Sequence, residues 1–340
     1  MACLLCLCWS VPHAAPLKKD NSARCLTFDQ AGWRLEQTQW KKKFDERIAT
    51  DRVGLFDWLL GKTAPPDDVL NQVKAQARCM LIDLIKSTAV SRSMLKKIGF
   101  PEDHIGSTLR LARKRGKLSR SMMHHALLAH HRSRATQRYL WKKRSRFSAK
   151  FDDHIPRKTV EHCMKNQSLK YSACRRQLII EKRELKALMG TAPPGISRHH
   201  WGTEIDLFVV NRYRFRDKGP LGPAYAWLKA NAHRYGFFQP YLGLDDDGYI
   251  EERWHWSYSP ISGPLMSVAK ENEAHYLGLI RTYWNGLSEK WNRGRRRPIP
   301  YFRKVLERYH KLIFDIGPSW PPPESSKDPT PAREPVHGGP

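Results

Sequence analysis

Apolar residues recur at helical spacing from Trp33-Arg34-Leu35-Glu36 to Phe56-Asp57-Trp58-Leu59-Leu60, so residues 16–100 read as mostly helical. Ala64-Pro65-Pro66-Asp67-Asp68 interrupts the pattern, because proline cannot continue a helix and an aspartate caps the next one. Val69 to Thr88 then reads as an amphipathic helix. The period changes in residues 196–262. Thr203 to Val210, rich in β-branched and aromatic residues, predicts a strand. Pro223 to Tyr235 predicts an amphipathic helix with Tyr225, Trp227, Leu228 and Ala232 inward, ended by Gly236. Asp245-Asp246-Asp247-Gly248 predicts a turn, and Tyr249 to Tyr258 a second strand. Residues 264–315 return to helical spacing, and from Gly317 the Pro-, Ser-, Glu- and Gly-rich end reads as a disordered tail.

Charge adds a constraint that the pattern does not carry. The 340 residues have a formal net charge of +27 and a pI near 10.0, which points to a polyanionic partner: nucleic acid, an anionic membrane face or an anionic wall polymer. The most basic stretch, residues 110–150, holds fourteen Lys or Arg and no Asp or Glu. It reads as a solvated helical face with an apolar stripe at Met122, Leu127 and Leu128, which attracts polyanions non-specifically; sequence-specific nucleic-acid binding is not expected. The paired histidines 124/125 and 130/131 lie in it without a neighbouring carboxylate or cysteine, so a metal site there is the weaker reading. There is no apolar run of transmembrane length. Ala2 to Val11 followed by His13-Ala14-Ala15 resembles a secretory signal peptide over residues 1–15, although the positive n-region is missing; the alternative is a buried N-terminal segment. Cys25, Cys79, Cys163 and Cys174 would remain after cleavage, with three pairings open in an oxidising compartment.

Candidate chemistry sits in Ser197-Arg198-His199-His200-Trp201-Gly202-Thr203-Glu204-Ile205-Asp206 and in Glu252-Arg253-Trp254-His255. A catalytic zinc takes three nitrogen or oxygen ligands and keeps one position open. His199, Asp206 and His255 can supply two nitrogens and one oxygen, and Glu252 is a carboxylate placed to move a proton. Taken singly, His199 and His255 also fit ordinary, partly buried histidines.

The two segments resemble the Ser-x-His-x-x-Gly-x-Ala-x-Asp and Glu-x-Trp-His motifs of the zinc D-alanyl-D-alanine carboxypeptidases, the vancomycin-resistance-type D,D-peptidases and related endolysins of the Hedgehog/D,D-peptidase fold. The text between them, Trp227-Leu228 through Tyr235-Gly236-Phe237-Phe238-Gln239-Pro240-Tyr241, is similar to the same family, as is Trp254-His255-Trp256-Ser257-Tyr258, so the resemblance covers roughly residues 170–262. It implies an α+β fold in which a small antiparallel sheet carries a zinc site, with flanking helices and an additional N-terminal helical region. On this division residues 16–160 are a basic helical region, 161–316 the zinc peptidase domain and 317–340 the tail. The resemblance implies His199, Asp206 and His255 as Zn²⁺ ligands, Glu252 as general base and acid, Ser197 as a substrate contact and Gly202 at a tight turn. The substrate is then a peptidoglycan stem peptide, with loss of a C-terminal D-Ala; an endopeptidase of the same fold and a catalytically inactive basic wall- or nucleic-acid-binding protein are the rivals. Export to the periplasm or cell wall fits that substrate, with residues 110–150 held to anionic wall polymer or membrane.

Three departures stand out. Glu204 occupies the family's alanine position and shares a face with Asp206 in a regular strand, where it either crowds the metal or accepts a hydrogen bond from outside the ligand shell. Glu252 and His255 have opposite parity, so the chain must bulge or begin its strand after Arg253. The family's substrate arginine has its nearest match in Ser172-Ala173-Cys174-Arg175, so Arg175 is the expected catalytic and substrate-binding cation, with Arg176 and Gln177 as substitutes and a solvated arginine as the alternative.

Overall fold

The computed structural model describes residue 27 and residues 30–87, 89–147, 154–188, 190–243, 250–292 and 314. The expected leader (1–15), the Asp245–Gly248 turn and the Pro-rich tail (317–340) lie outside them, as does Cys25.

The first helical period forms α1 (Gln30–Leu59), broken at Asp51, whose φ of −146° and ψ of 59° leave the helical region. Trp33, Trp40, Phe44, Leu55, Phe56 and Trp58 of this helix are buried. Pro65 and Pro66 end the connection, and α2 (Asp67–Lys86) starts at once. The expected aspartate cap is not formed: Pro66 holds the N-cap position, and Asp67 and Asp68 sit inside the first turn, where negative charge favours the helix dipole. Short helices α3 (Arg92–Lys97), α4 (Glu102–Arg115) and α5 (Arg120–Ala126) follow, with Ser91 and Ser119 accepting the N–H groups of Met94 and Met122 as N-caps.

The sheet is antiparallel throughout, with β1 (Leu127–Ala129), β2 (Glu204–Leu207), β3 (Phe237–Phe238) and β4 (His255–Tyr258) in the order β1-β2-β4-β3. The strand expected over Thr203–Val210 is cut to Glu204–Leu207, because Phe208 takes a positive φ of 59° and turns the chain. Tyr249 to Tyr258 likewise shrinks to His255–Tyr258 among the described residues. The His255 N–H donates to the Glu252 carbonyl in a turn before the strand starts, the break that the parity of the two residues required. β1 comes from inside residues 110–150, so the sheet draws on both sides of the division placed at residue 160.

After β1 the chain forms α6 (Arg134–Phe147), α7 (Arg157–Gln167) and α8 (Tyr171–Leu188). A Cys163–Cys174 disulfide joins α7 and α8 beside a small apolar cluster of Val160, Cys163 and Cys174, settling one of the pairings the sequence left open. The expected amphipathic helix is α9 (Gly222–Asn231) plus a 3-10 turn, ended by Gly236 at φ 87°. Tyr225, Leu228 and Ala232 are buried and Trp227 half-buried, as expected. Helices α10 (Ser259–Glu271) and α11 (Glu273–Asn292) complete the described chain.

The N-terminal helices share a core with the sheet. Helix α1 packs along α10, and residues of α1, α2, the sheet, α9, α10 and α11 share one apolar cluster. The Trp33 indole N–H donates to the His233 carbonyl (3.1 Å), Gln37 to Ser259 Oγ (3.1 Å) and the Trp58 indole to the Trp201 carbonyl (3.2 Å). Among the described residues no helix is long and apolar enough to cross a membrane.

Candidate metal centre

Two strands and one turn set the site. In the β2–β4 register Asp206 faces His255 and Glu204 faces Ser257. His199 lies in a 3-10 turn (Arg198–Trp201) that follows Ser197 and ends at Gly202, whose φ of 75° is the expected left-handed turn. A Cβ at Gly202 would meet Pro65 Cγ at 2.7 Å and Leu70 Cδ2 at 2.8 Å, so the start of α2 presses directly on this turn.

The three expected ligands converge. His199, Asp206 and His255 are buried and offer donor atoms that all lie within 4.8 Å of one another. His199 Nε2 is 3.4 Å from Asp206 Oδ1, and His255 Nδ1 is 3.0 Å from the same oxygen. Among the described residues no other group of His, Cys, Asp and Glu is arranged to hold a metal ion, the paired histidines 124/125 and 130/131 included.

The donor set suits zinc in a specific sense. Each imidazole has its distal nitrogen tied, which leaves the proximal one for an ion. His199 Nδ1 donates to the His130 carbonyl (2.9 Å), freeing Nε2. His255 Nε2 donates to Glu204 Oε2 (2.8 Å), which leaves Nδ1, on the Asp206 side, as its donor atom for an ion. Glu204 thus stands outside the ligand shell and does not crowd it. Its other oxygen accepts from Arg198 Nε (3.1 Å), Ser257 Oγ (2.7 Å) and Thr203 Oγ1 (3.1 Å), so this wholly buried carboxylate is fully engaged. Asp206 Oδ2 accepts from Arg132, leaving Oδ1 toward the histidines.

Charge coupling follows this geometry. Burial alone would raise the Asp206 carboxyl, but His199 and Arg132 hold it well below its ordinary range. Burial also works against the charge on Glu204, yet the Arg198 guanidinium and His255 bring its carboxyl down to about 2. Burial disfavours the His255 imidazolium, and hydrogen bonds to Asp206 and Glu204 overcome this to raise it to about 9. Burial pushes Glu252 the other way, up to about 7, against the opposing charges of His255, Arg132 and Arg144. Glu252 Oε2 is 3.7 Å from His255 Nδ1, so a carboxyl of near-neutral affinity for protons stands beside the open ligand atoms.

These residues line a cavity of about 520 Å³. Ser197, expected at the substrate, is buried and lines it, as do Glu252, Tyr241 and Trp254. Arg175, expected as the substrate cation, does not: it is exposed on α8, and neither Arg176 nor Gln177 lines the cavity. Arg132 lines it instead, from the loop between β1 and α6, with Gln137, Lys143 and Arg144 of α6. The signal was in Leu127-Leu128-Ala129-His130-His131-Arg132, a short strand running into a loop, but three strand residues carry too little alternation to be read as one. His200 is not one of the clustered ligands: its Nδ1 donates to the Arg132 carbonyl (2.7 Å) and its Nε2 accepts the Gly195 N–H (3.0 Å). Trp201 and Trp256 are core, and Trp254 is cavity wall.

Residues 112–261 match the family model described as VanY: D-alanyl-D-alanine carboxypeptidase. An uncharacterized protein of Haemophilus influenzae is 27% identical over 78 residues, which cover 19% of this chain and 60% of that protein, so the chain spans less than two thirds of that relative's length. Among solved structures, VanYB in complex with D-alanine-D-alanine is 18% identical, over 41% of this chain and 61% of that one, with a TM-score of 0.26. The LdcB LD-carboxypeptidase is 20% identical, over 63% of this chain and 77% of that one, with a TM-score of 0.30. A vancomycin-resistance D,D-pentapeptidase VanY variant in complex with Zn(II) is 19% identical, over 44% of this chain and 70% of that one, with a TM-score of 0.24. Sequence motifs, ligand geometry and family model agree over residues 112–261, which are similar to the VanY D-alanyl-D-alanine carboxypeptidase family.

Proposed function

We propose that this protein is a zinc peptidase that hydrolyses peptidoglycan stem peptides and releases a C-terminal D-Ala. The observation that carries the reading is the convergence of His199 Nε2, Asp206 Oδ1 and His255 Nδ1 beside the buried Glu252 in an open cavity. His199, Asp206 and His255 would hold Zn²⁺, which when bound polarises a carbonyl and lowers the pKa of a water toward neutrality.

The chain's own residues supply the rest. Glu252 takes a proton from the attacking water as the water oxygen adds to the scissile carbonyl, and returns it to the leaving nitrogen as the C–N bond breaks. Its carboxyl is buried in the cavity 3.7 Å from His255 Nδ1, within reach of both transfers. Arg132 holds Asp206 in place and presents positive charge to the cavity, suited to a substrate carboxylate or to charge developing on the carbonyl oxygen. Ser197 and Tyr241 line the same space and offer hydroxyls. VanYB is a D-alanine-D-alanine complex, which agrees with this substrate. A disulfide between Cys163 and Cys174 accords with an oxidising compartment, and hence with export to the periplasm or cell wall.

The test is metal content and turnover on the full chain. Wild type is expected to bind about one zinc and to release free D-Ala from a pentapeptide ending in D-Ala-D-Ala. Glu252→Gln is expected to keep its zinc and to lose roughly 10²–10⁴-fold in kcat. Release of longer fragments without free D-Ala would make the protein an endopeptidase. Absence of zinc would end the peptidase reading.

A further inference from the structure

We infer that the α6 wall of the cavity is a second anion subsite, in which Arg144 with Lys143 binds a side-chain carboxylate of the peptide substrate away from the bond that is cut. This rests on the peptidase reading and narrows it to acidic peptides.

Helix α6, Arg-Ala-Thr-Gln-Arg-Tyr-Leu-Trp-Lys-Lys-Arg-Ser-Arg-Phe, carries six cations and no acidic residue. Gln137, Leu140 and Arg144 recur at intervals of three and four, the spacing of one helical face, and all line the cavity together with Lys143. Leu140 gives that wall an apolar middle, with Gln137 and Arg132 at one end and Lys143 and Arg144 at the other. Arg144 is exposed, and among the described residues no carboxylate lies within ion-pair distance of it.

Size points the same way. A cavity of about 520 Å³ falls in the range that encloses drug-sized ligands, so it takes more than the two residues flanking the cut bond. The carboxylates lining it, Asp206 and Glu252, lie at the metal end, and Asp206 is already answered by Arg132. A peptide held by its C-terminal end at Arg132 therefore extends past Leu140 toward two further cations. A carboxylate there gains the forked, charge-assisted contact that arginine provides, and a carboxamide does not.

Two synthetic peptides test this, both ending in D-Ala-D-Ala and identical except that the upstream side-chain carboxylates are free in one and carboxamides in the other. The zinc-loaded wild type is expected to favour the acid by roughly two- to fivefold in kcat/KM, as an ion pair at an exposed site gives. Arg144→Gln, and more so Arg144→Gln with Lys143→Gln, should bring the ratio close to one, and Arg144→Glu should invert it. Equal rates on both peptides in wild type, or a ratio that the variants leave alone, overturn the subsite while the peptidase stands. Equilibrium binding of both peptides to Glu252→Gln separates the other failure. Preference for the acid in binding, with neither peptide cleaved by wild type, keeps the subsite and overturns the peptidase; neither cleavage nor preference overturns both.

Discussion

Glu204 changes the chemistry of the residues around it more than its position in the motif suggests. It replaces a small apolar residue with a buried carboxylate, and the chain answers it with Arg198, Ser257, Thr203 and the far nitrogen of His255. Through that last bond Glu204 fixes which imidazole nitrogen is free for an ion. Losing such an outer acceptor typically costs 10–100-fold in metal affinity, so Glu204→Gln is expected to weaken zinc by roughly that factor in competition with a chromophoric chelator. An unchanged affinity would mean that the strand alone orients His255. Stability should respond differently. Glu204→Ala leaves the Arg198 guanidinium buried without its carboxylate, which costs about 3–5 kcal/mol. Pairing it with Arg198→Met removes the stranded charge, so the double variant should unfold at a higher urea concentration than Glu204→Ala alone.

At the level of elements, the turn between Ser197 and β2 is the piece whose shape the chemistry depends on. It must reverse direction within the few residues separating His199 from Asp206, and Gly202 does so in the left-handed region with Pro65 and Leu70 packed against the space a side chain would need. Gly202→Ala is therefore expected to cost more than about 1 kcal/mol and to lower the urea midpoint. An unmoved midpoint would show that the α2 contact yields freely. The motif glycine, the two ligand-bearing strands, the break before His255 and the helix ended by Gly236 were all legible in the sequence, because each leaves a local mark: a glycine, a change of period, or a clash of parity. What was not legible depends on chain segments distant in sequence. β1 is three residues of a stretch whose charge dominates its appearance, and it pairs with β2 across more than seventy residues. Without β1 in view, Arg132 was one cation among the fourteen of residues 110–150, and nothing local marked it, rather than Arg175, as the arginine that lines the cavity. At the start of α2 the residue types were right and their offset was not: Pro66 holds the cap and the aspartates fall in the first turn.

Across the whole molecule, the N-terminal helices and the sheet that bears Asp206 and His255 share one core, and this makes a prediction about cooperativity. Trp58 of α1 is wholly buried and its indole donates to the carbonyl of Trp201, two residues past His199. Pro65 and Leu70 abut the same turn from the other side of the connection. Helix α1 also lies along α10, which continues directly from β4 and so from His255. Residues far from the metal in sequence therefore cannot unfold without loosening the ligands, and the ligands cannot scatter without exposing the face that α1 and α2 cover. A ligand that binds only the folded state stabilises it by about 2.7 kcal/mol at a hundredfold excess over its Kd. Zinc removal by a chelator should thus lower the Tm of the full chain, and it should do so in a single transition followed equally by far-ultraviolet circular dichroism and by tryptophan fluorescence, since Trp33, Trp40 and Trp58 of α1 and Trp201, Trp254 and Trp256 of the site report on both parts. Trp58→Ala is expected to cost about 3–5 kcal/mol of stability and to weaken zinc at the same time. Two separate transitions, with only one sensitive to zinc, would mean that the shared core does not couple the N-terminal helices to the metal site.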